Sequence, residues 1–359
     1  MTAALDVVDL KKSYPSRRGK GGVVNAVNSI SFSLEAGQSL AIVGESGCGK
    51  STVGKMIADV LEPTSGEVRI NGTALGKLRG RERNRLSLQV QLIHQDPYAA
   101  LNPVRTIWQS LSGPFRVHRI GKNQAERRER LERALEAVGL TPGSTYLEKY
   151  PHQLSGGQRQ RIVVARALSV APGVLVADEA TSMVDVSLRV DILKTIKQLQ
   201  RESGVATVFI THDFGVARYF AEGERVAVMY NGRFVEIGKT EDVIGSPRHP
   251  YTLMLLTAIP TSDPEKNRTR TRLLPIVDEH VGAFPTAGCP FAPRCPMATQ
   301  LCRDDTPQLR DQGDGHRVAC HYPERVEAAA IEHGLATLQP RRAEPDHPTA
   351  DLVGTESLP

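Results

Sequence analysis

The chain has 359 residues, of which 40% are hydrophobic and 24% charged, with a formal net charge of +5. This is ordinary globular usage for one large domain or two average ones, and the mild positive charge fits an anionic nucleotide, a membrane face or a plain enzyme alike. No stretch approaches the ~20 apolar residues that cross a bilayer, and Met1–Leu10 lacks a secretory pattern, so the chain is expected in the cytoplasm, reaching any membrane through partners.

Ser31-Phe32-Ser33-Leu34 reads as a strand, Glu35 to Gln38 as a turn, and Ser39-Leu40-Ala41-Ile42-Val43 as a buried strand. A glycine-rich loop follows, then a helix expected from Lys50 to Leu61. Glu67 to Ile70 is a short strand before an Asn71-Gly72 turn. Residues 103–170 look mostly helical, with leucines and alanines at helical spacing from Gln124 to Val138. Strands at Gly173–Ala177 and Val205–Ile210 enclose a helix near Ser187–Arg201, an alternation that implies a parallel sheet. Arg225–Tyr230 and Arg233–Ile237 are strands around an Asn231-Gly232 turn. From Pro247 prolines become frequent and cysteines appear.

Gly44-Glu45-Ser46-Gly47-Cys48-Gly49-Lys50-Ser51, followed by Thr52, fits G-x-x-x-x-G-K-[ST] between a strand and a helix. Small residues let the loop amides converge on a β-phosphate, and the helix start adds positive potential. Lys50 would reach the β- and γ-phosphates, and Ser51 offers a hydroxyl to Mg²⁺. Val174 to Ala177 delivers Asp178 and Glu179 at a strand end, Asp178 for Mg²⁺ and Glu179 as the base that polarises water.

Leu154-Ser155-Gly156-Gly157-Gln158, 104 residues after Lys50 and 24 before Asp178, resembles the signature of ABC ATPases. The resemblance implies an α/β fold: a P-loop NTPase ABC cassette with a RecA-like core, an antiparallel β subdomain and a helical signature subdomain. It also implies a head-to-tail dimer in which MgATP lies between one chain's phosphate loop and the other's Ser155, Gly156, Gly157 and Gln158. Gln95 resembles the Q-loop glutamine that senses Mg²⁺ and water, His212 the switch histidine at the γ-phosphate, and Asp185 the D-loop aspartate. Tyr14 resembles the aromatic that stacks on adenine, with a plain surface tyrosine as the alternative. The chain departs from the family at Ala180, where proline is usual, and at Met183-Val184. Cys48 reads as a small packing residue that is open to oxidation.

Gln95-Asp96-Pro97-Tyr98-Ala99-Ala100-Leu101-Asn102-Pro103 and Ser246-Pro247-Arg248-His249-Pro250-Tyr251-Thr252 resemble the Q-loop and C-terminal region of oligopeptide and dipeptide importer ATPases. The cassette is expected over 1–245 with its helical subdomain at about 96–160, a Cys-rich C-terminal region over 246–335, and a disordered tail over 336–359. Cys289, Cys295, Cys302 and Cys320 lie within 32 residues, a cluster that in a cytoplasmic protein suggests a metal or redox site. In the importer ATPases this arrangement resembles a [4Fe–4S] ligand set; Zn²⁺ and unliganded thiols stay open.

The implied role is the ATP-hydrolysing motor of an importer on the cytoplasmic face of the membrane. Its partners would be transmembrane permease subunits, a second ATPase subunit of the same or a related kind and, indirectly, an extracellular solute-binding protein. Peptide is the favoured cargo, with nickel and oligosaccharides as alternatives. A non-transport ABC ATPase on ribosomes or DNA is the rival class, and no nucleic-acid partner is expected.

Overall fold

The computed structural model describes residues 2–15, 23–94, 96–181, 186–259 and 287–332. An eight-stranded sheet carries the site. Its strands are β3 (Ser39–Val43), β6 (Val90–Ile93), β7 (Val174–Asp178), β8 (Ala206–Thr211), β9 (Arg225–Tyr230), β10 (Arg233–Lys239), β11 (Arg310–Asp311) and β12 (Arg317–Val318), in the order β11-β12-β10-β9-β3-β8-β7-β6. From β9 to β6 every pairing is parallel, as the strand–helix alternation implies. The Asn231-Gly232 turn then folds β10 back on β9 and makes the sheet mixed.

Every residue of β3, β7 and β8 is buried, because both faces of the sheet are covered. Leu40, Ile42, Val174, Val176, Val208 and Ile210 face one core, which helix α1 (Lys50–Ile57) shares with a separate antiparallel sheet. That sheet has the order β2-β1-β4-β5, with β1 Leu5–Pro15, β2 Val23–Leu34, β4 Ser65–Ile70 and β5 Thr73–Ala74. On the opposite face Leu175, Ala177 and Phe209 meet a helical core. Its helices include α4 (Ile107–Val117), α5 (Gln124–Ala137) and α7 (Gly156–Leu168), which follow α2 (Gly80–Gln89) and α3 (Pro97–Ala100), with the short α6 (Gly143–Leu147) between α5 and α7. Ala41, Val43, Val226 and Val228 meet a third core that holds Tyr251, Leu253 and Phe291.

Helix α1 stops four residues short of the expected Leu61. Asp59 takes a left-handed φ of 57°, and the N–H groups of both Val60 and Leu61 turn back to the Lys55 carbonyl. The helix C-terminus is thereby closed by a loop rather than another turn. Among the described residues no helix is long and apolar enough to cross a membrane.

The segment after β10 is tied to the sheet by Glu236, which is fully buried on β10. Its carboxylate accepts the N–H groups of Arg248 (2.8 Å) and His249 (3.0 Å) and lies 2.8 Å from His316 Nε2. These partners offset the cost of burying the charge. His249 in turn caps the helix Pro250–Thr257, its Nδ1 accepting the Tyr251 N–H at 3.1 Å. Burial pushes the His249 imidazole down to about 3, so the folded protein keeps it neutral while the unfolded chain protonates it near 6.5.

The unfolded state therefore binds the extra proton, and this stability is full above pH 6.5 and lost as pH falls toward 3. Between pH 6.5 and 4.5 the loss is on the order of 2 kcal/mol. Thermal melts across this range should show a shallower pH slope for His249→Asn, which keeps an oxygen to cap Tyr251.

Candidate active site

The phosphate loop runs from the end of β3 into α1, wedged between β9 and β2. A Cβ on Gly44 would lie 2.2 Å from the Met229 carbonyl oxygen, and one on Gly49 (φ 108°) 2.2 Å from that of Ala26. Only glycine lets the backbone pass so close to its neighbours. Lys50 is buried, and its Nζ donates to the carbonyl oxygens of Gly44 (2.8 Å) and Glu45 (2.9 Å). The ammonium thus lies in the cup of the loop, where a phosphate anion would meet it.

Parallel pairing delivers the acids. Asp178 ends β7 opposite Ile210 of β8, and its Oδ1 accepts the Ser51 hydroxyl at 3.0 Å, which joins strand end to phosphate loop. Burial, aided by the Glu179 charge, pushes the Asp178 carboxyl up, against the Ser51 hydrogen bond. Glu179 adopts a left-handed φ of 48° and donates its N–H to the Ile210 carbonyl. Its Oε1 lies 3.1 Å from His212 Nδ1, just beyond β8. An acid, a hydroxyl, an ammonium, a second acid and an imidazole thus come from three adjacent strand ends, the set that phosphoryl transfer to water requires.

Ser155 is the N-cap of α7: its Oγ accepts the Gln158 N–H at 3.2 Å, while Gln158 Oε1 accepts the Ser155 N–H at 3.1 Å. Gly156 and Gly157 form the first turn. The Arg159 guanidinium stacks 4.4 Å from the Tyr98 ring, which fastens the signature to the start of α3. Gln160 Nε2 donates to the Ala180 carbonyl at 2.6 Å, so the signature helix also grips the turn after Glu179. Sequence reading did not single out Gln160, although its place one turn into α7 was a usable signal.

Tyr14 lies near the end of β1 opposite Val24, exposed, with the Lys12 ammonium 5.4 Å from its ring centroid. Gln95 and Asp185 lie outside the described residues. Cys48 is buried, in keeping with a small packing residue, and burial pushes its thiol up, which disfavours the reactive thiolate.

Cys289, Cys295, Cys302 and Cys320 line one cavity together with Phe291 and Tyr322. Burial pushes Cys295 up to about 11 and Cys320 up to about 12, so these thiols are protonated at neutral pH. Their softness suits iron or zinc, but among the described residues no group of three or more His, Cys, Asp or Glu side chains is arranged to hold a metal ion.

The family description "ABC transporter" matches residues 27–182, and "Oligopeptide/dipeptide transporter, C-terminal region" matches 235–302. A probable peptide ABC transporter ATP-binding protein of Sinorhizobium fredii is 40% identical over 96% of this chain and 97% of its own. The chain is an ABC transporter ATP-binding subunit of the oligopeptide/dipeptide family. The dipeptide transport ATP-binding protein DppF of Haemophilus influenzae is 40% identical over 89% of this chain and 97% of its own. Among solved structures, the cassette MJ0796, a dimer bound to ADP and Pi, is 28% identical with a TM-score of 0.59 over 66% of this chain and 98% of its own. As an ABC transporter ATP-binding protein, the chain is an ATPase.

Gly49→Ala should cost about 2 kcal/mol or more, because the added methyl meets backbone in a left-handed conformation. Denaturant melts, alongside MgATP binding, read both the strain and the damage to the loop.

Proposed function

We propose that this subunit is the MgATP-hydrolysing motor of a di- and oligopeptide importer. The observation that carries it is the junction of Ser51 with Asp178 beside the Glu179–His212 pair, which gathers groups suited to binding and hydrolysis at the ends of adjacent strands. The names of the relatives, which transport dipeptides and oligopeptides, support the cargo.

In this reading residues 44–52 cradle the phosphates and Tyr14 stacks on adenine. Ser51, Asp178 and Gln95 would hold Mg²⁺, which would supply charge neutralisation for the phosphates. Glu179 orients the attacking water and accepts its proton. His212, held by Glu179 through one ring nitrogen, offers the other to the γ-phosphate. Ser155, Gly156, Gly157, Gln158 and Asp185 act across a dimer on the partner's nucleotide, and the closing motion drives transmembrane permeases supplied by a solute-binding protein. Residues 1–245 serve as the cassette and 246–335 as a Cys-rich C-terminal region on the membrane's cytoplasmic face.

The four cysteines are proposed as ligands of a [4Fe–4S] cluster, with Zn²⁺ as the alternative. Their shared cavity supports this reading, while the described side chains are not themselves arranged as a metal site. Protein prepared without air should carry about four irons and matching sulfide per chain. Zinc in their place selects the alternative, and neither metal leaves the thiols as packing.

Glu179→Gln should lower hydrolysis by about 10²–10⁴-fold while MgATP binding survives, and Lys50→Ala should abolish binding. In a deletion strain, uptake of labelled di- and oligopeptides should return with wild type and not with Glu179→Gln. Uptake that never depends on this subunit overturns the peptide cargo.

A further inference from the structure

Glu45, the second residue of the phosphate loop, is held at both ends by the C-terminal part of the chain. Its N–H donates to the Tyr251 hydroxyl at 2.8 Å. Its carboxylate receives a two-pronged fork from Arg294, Nη1 to Oε2 at 2.8 Å and Nη2 to Oε1 at 2.9 Å. Tyr251 is fully buried on the helix Pro250–Thr257, and its ring packs against Tyr230 and Phe291 with centroids 4.6 and 5.4 Å away. The guanidinium lies 5.8 Å from the ring centroids of Tyr230 and Phe291.

Arg294 has little freedom to leave. It ends a single 3₁₀ turn, Ala292–Arg294, immediately before Cys295. Backbone bonds from Ala292 to Cys289 (3.0 Å), from Arg294 to Phe291 (3.0 Å) and from Cys289 to Cys302 (2.7 Å) fix the loop that carries it. The turn therefore presents a planar fork at a set place against the phosphate loop, the geometry in which arginine holds a carboxylate best.

The charge balance gives this contact a consequence for nucleotide binding. Lys50 Nζ bonds the Glu45 carbonyl, so Glu45 is a direct neighbour of the loop's own cation. A carboxylate without its fork could swing toward that ammonium and oppose an incoming polyphosphate. Paired with Arg294, it is neutralised and drawn to the C-terminal side of the loop. We propose that Arg294 is a positioning residue for MgATP binding: it holds Glu45 away from the phosphate site, and through it the cysteine-bearing loop sets the affinity of the phosphate loop. This rests on the reading of residues 44–52 as the nucleotide site.

The test is a double-mutant cycle on the full-length subunit, with MgATP titration for Kd and steady-state ATPase for kcat and KM. Arg294→Ala should raise Kd and KM about fivefold, a modest effect because both side chains are partly exposed, while kcat changes less than about twofold. Arg294→Lys, which keeps the charge but loses the fork, should fall between. In a Glu45→Gln background, Arg294→Ala should add nothing, since the carboxylate it restrains is gone. Equal effects of Arg294→Ala in both backgrounds, or no effect on KM in wild type, overturn the proposal. If Arg294→Ala does not fold, Arg294→Lys in the two backgrounds makes the same comparison. Wild type that fails to bind MgATP, or binding that survives Lys50→Ala, overturns the nucleotide-site reading and the proposal with it. Normal wild-type binding with a silent Arg294 overturns the proposal alone.

Discussion

The parallel register of β3, β8 and β7 is the constraint on which the rest depends. Val43 stands level with Thr211, and Asp178 with Ile210, so three strands end at one height. The phosphate loop leaves the first, His212 follows the second, and Asp178 and Glu179 close the third. A shift of one residue in any pair would turn the core-facing side chains of that strand to the opposite face and lift its functional group away from the others. The apolar packing on both faces of the sheet therefore specifies the site as much as the polar residues do, and the Ser51–Asp178 hydrogen bond records that the register is correct.

Around these strand ends, polar groups from other parts of the chain are fixed by a few contacts. Gln160 links the signature helix to the turn after Glu179, and Arg159 links it to Tyr98. Contacts thus run from α3 through the signature helix to the turn after Glu179. The C-terminal part is bound by a different device, a buried carboxylate. Glu236 lost its water on folding and received two backbone N–H groups and an imidazole in return, a set of partners that only one placement of residues 248, 249 and 316 can supply.

The phosphate loop, the Asp178-Glu179 strand end, the signature and the β9–β10 hairpin were legible in the sequence because each is specified by residues close together in the chain. The buried strands were legible from unbroken apolar runs. Strand β1 was not, because Asp6, Asp9 and the lysines interrupt its pattern and its pairing shifts register between Val7 and Leu10. The expected extent of α1 failed for a local reason, a left-handed Asp59 where no glycine signals it. The pairing of Arg294 and Tyr251 with Glu45 was not legible because each is more than 200 positions from Glu45. Their partnership exists only once three cores have formed, and no spacing rule can express it.

Glu236 and Glu45 lie within the first 245 residues, yet the groups that satisfy them come from beyond that limit. A chain shortened to the cassette would leave a buried anion and a phosphate-loop amide without their partners, and would bare the apolar face now covered by Tyr251 and Phe291. What looks in sequence like an appended module has become part of the cassette's own interior, so the minimal folding unit extends past the minimal set of ATPase motifs.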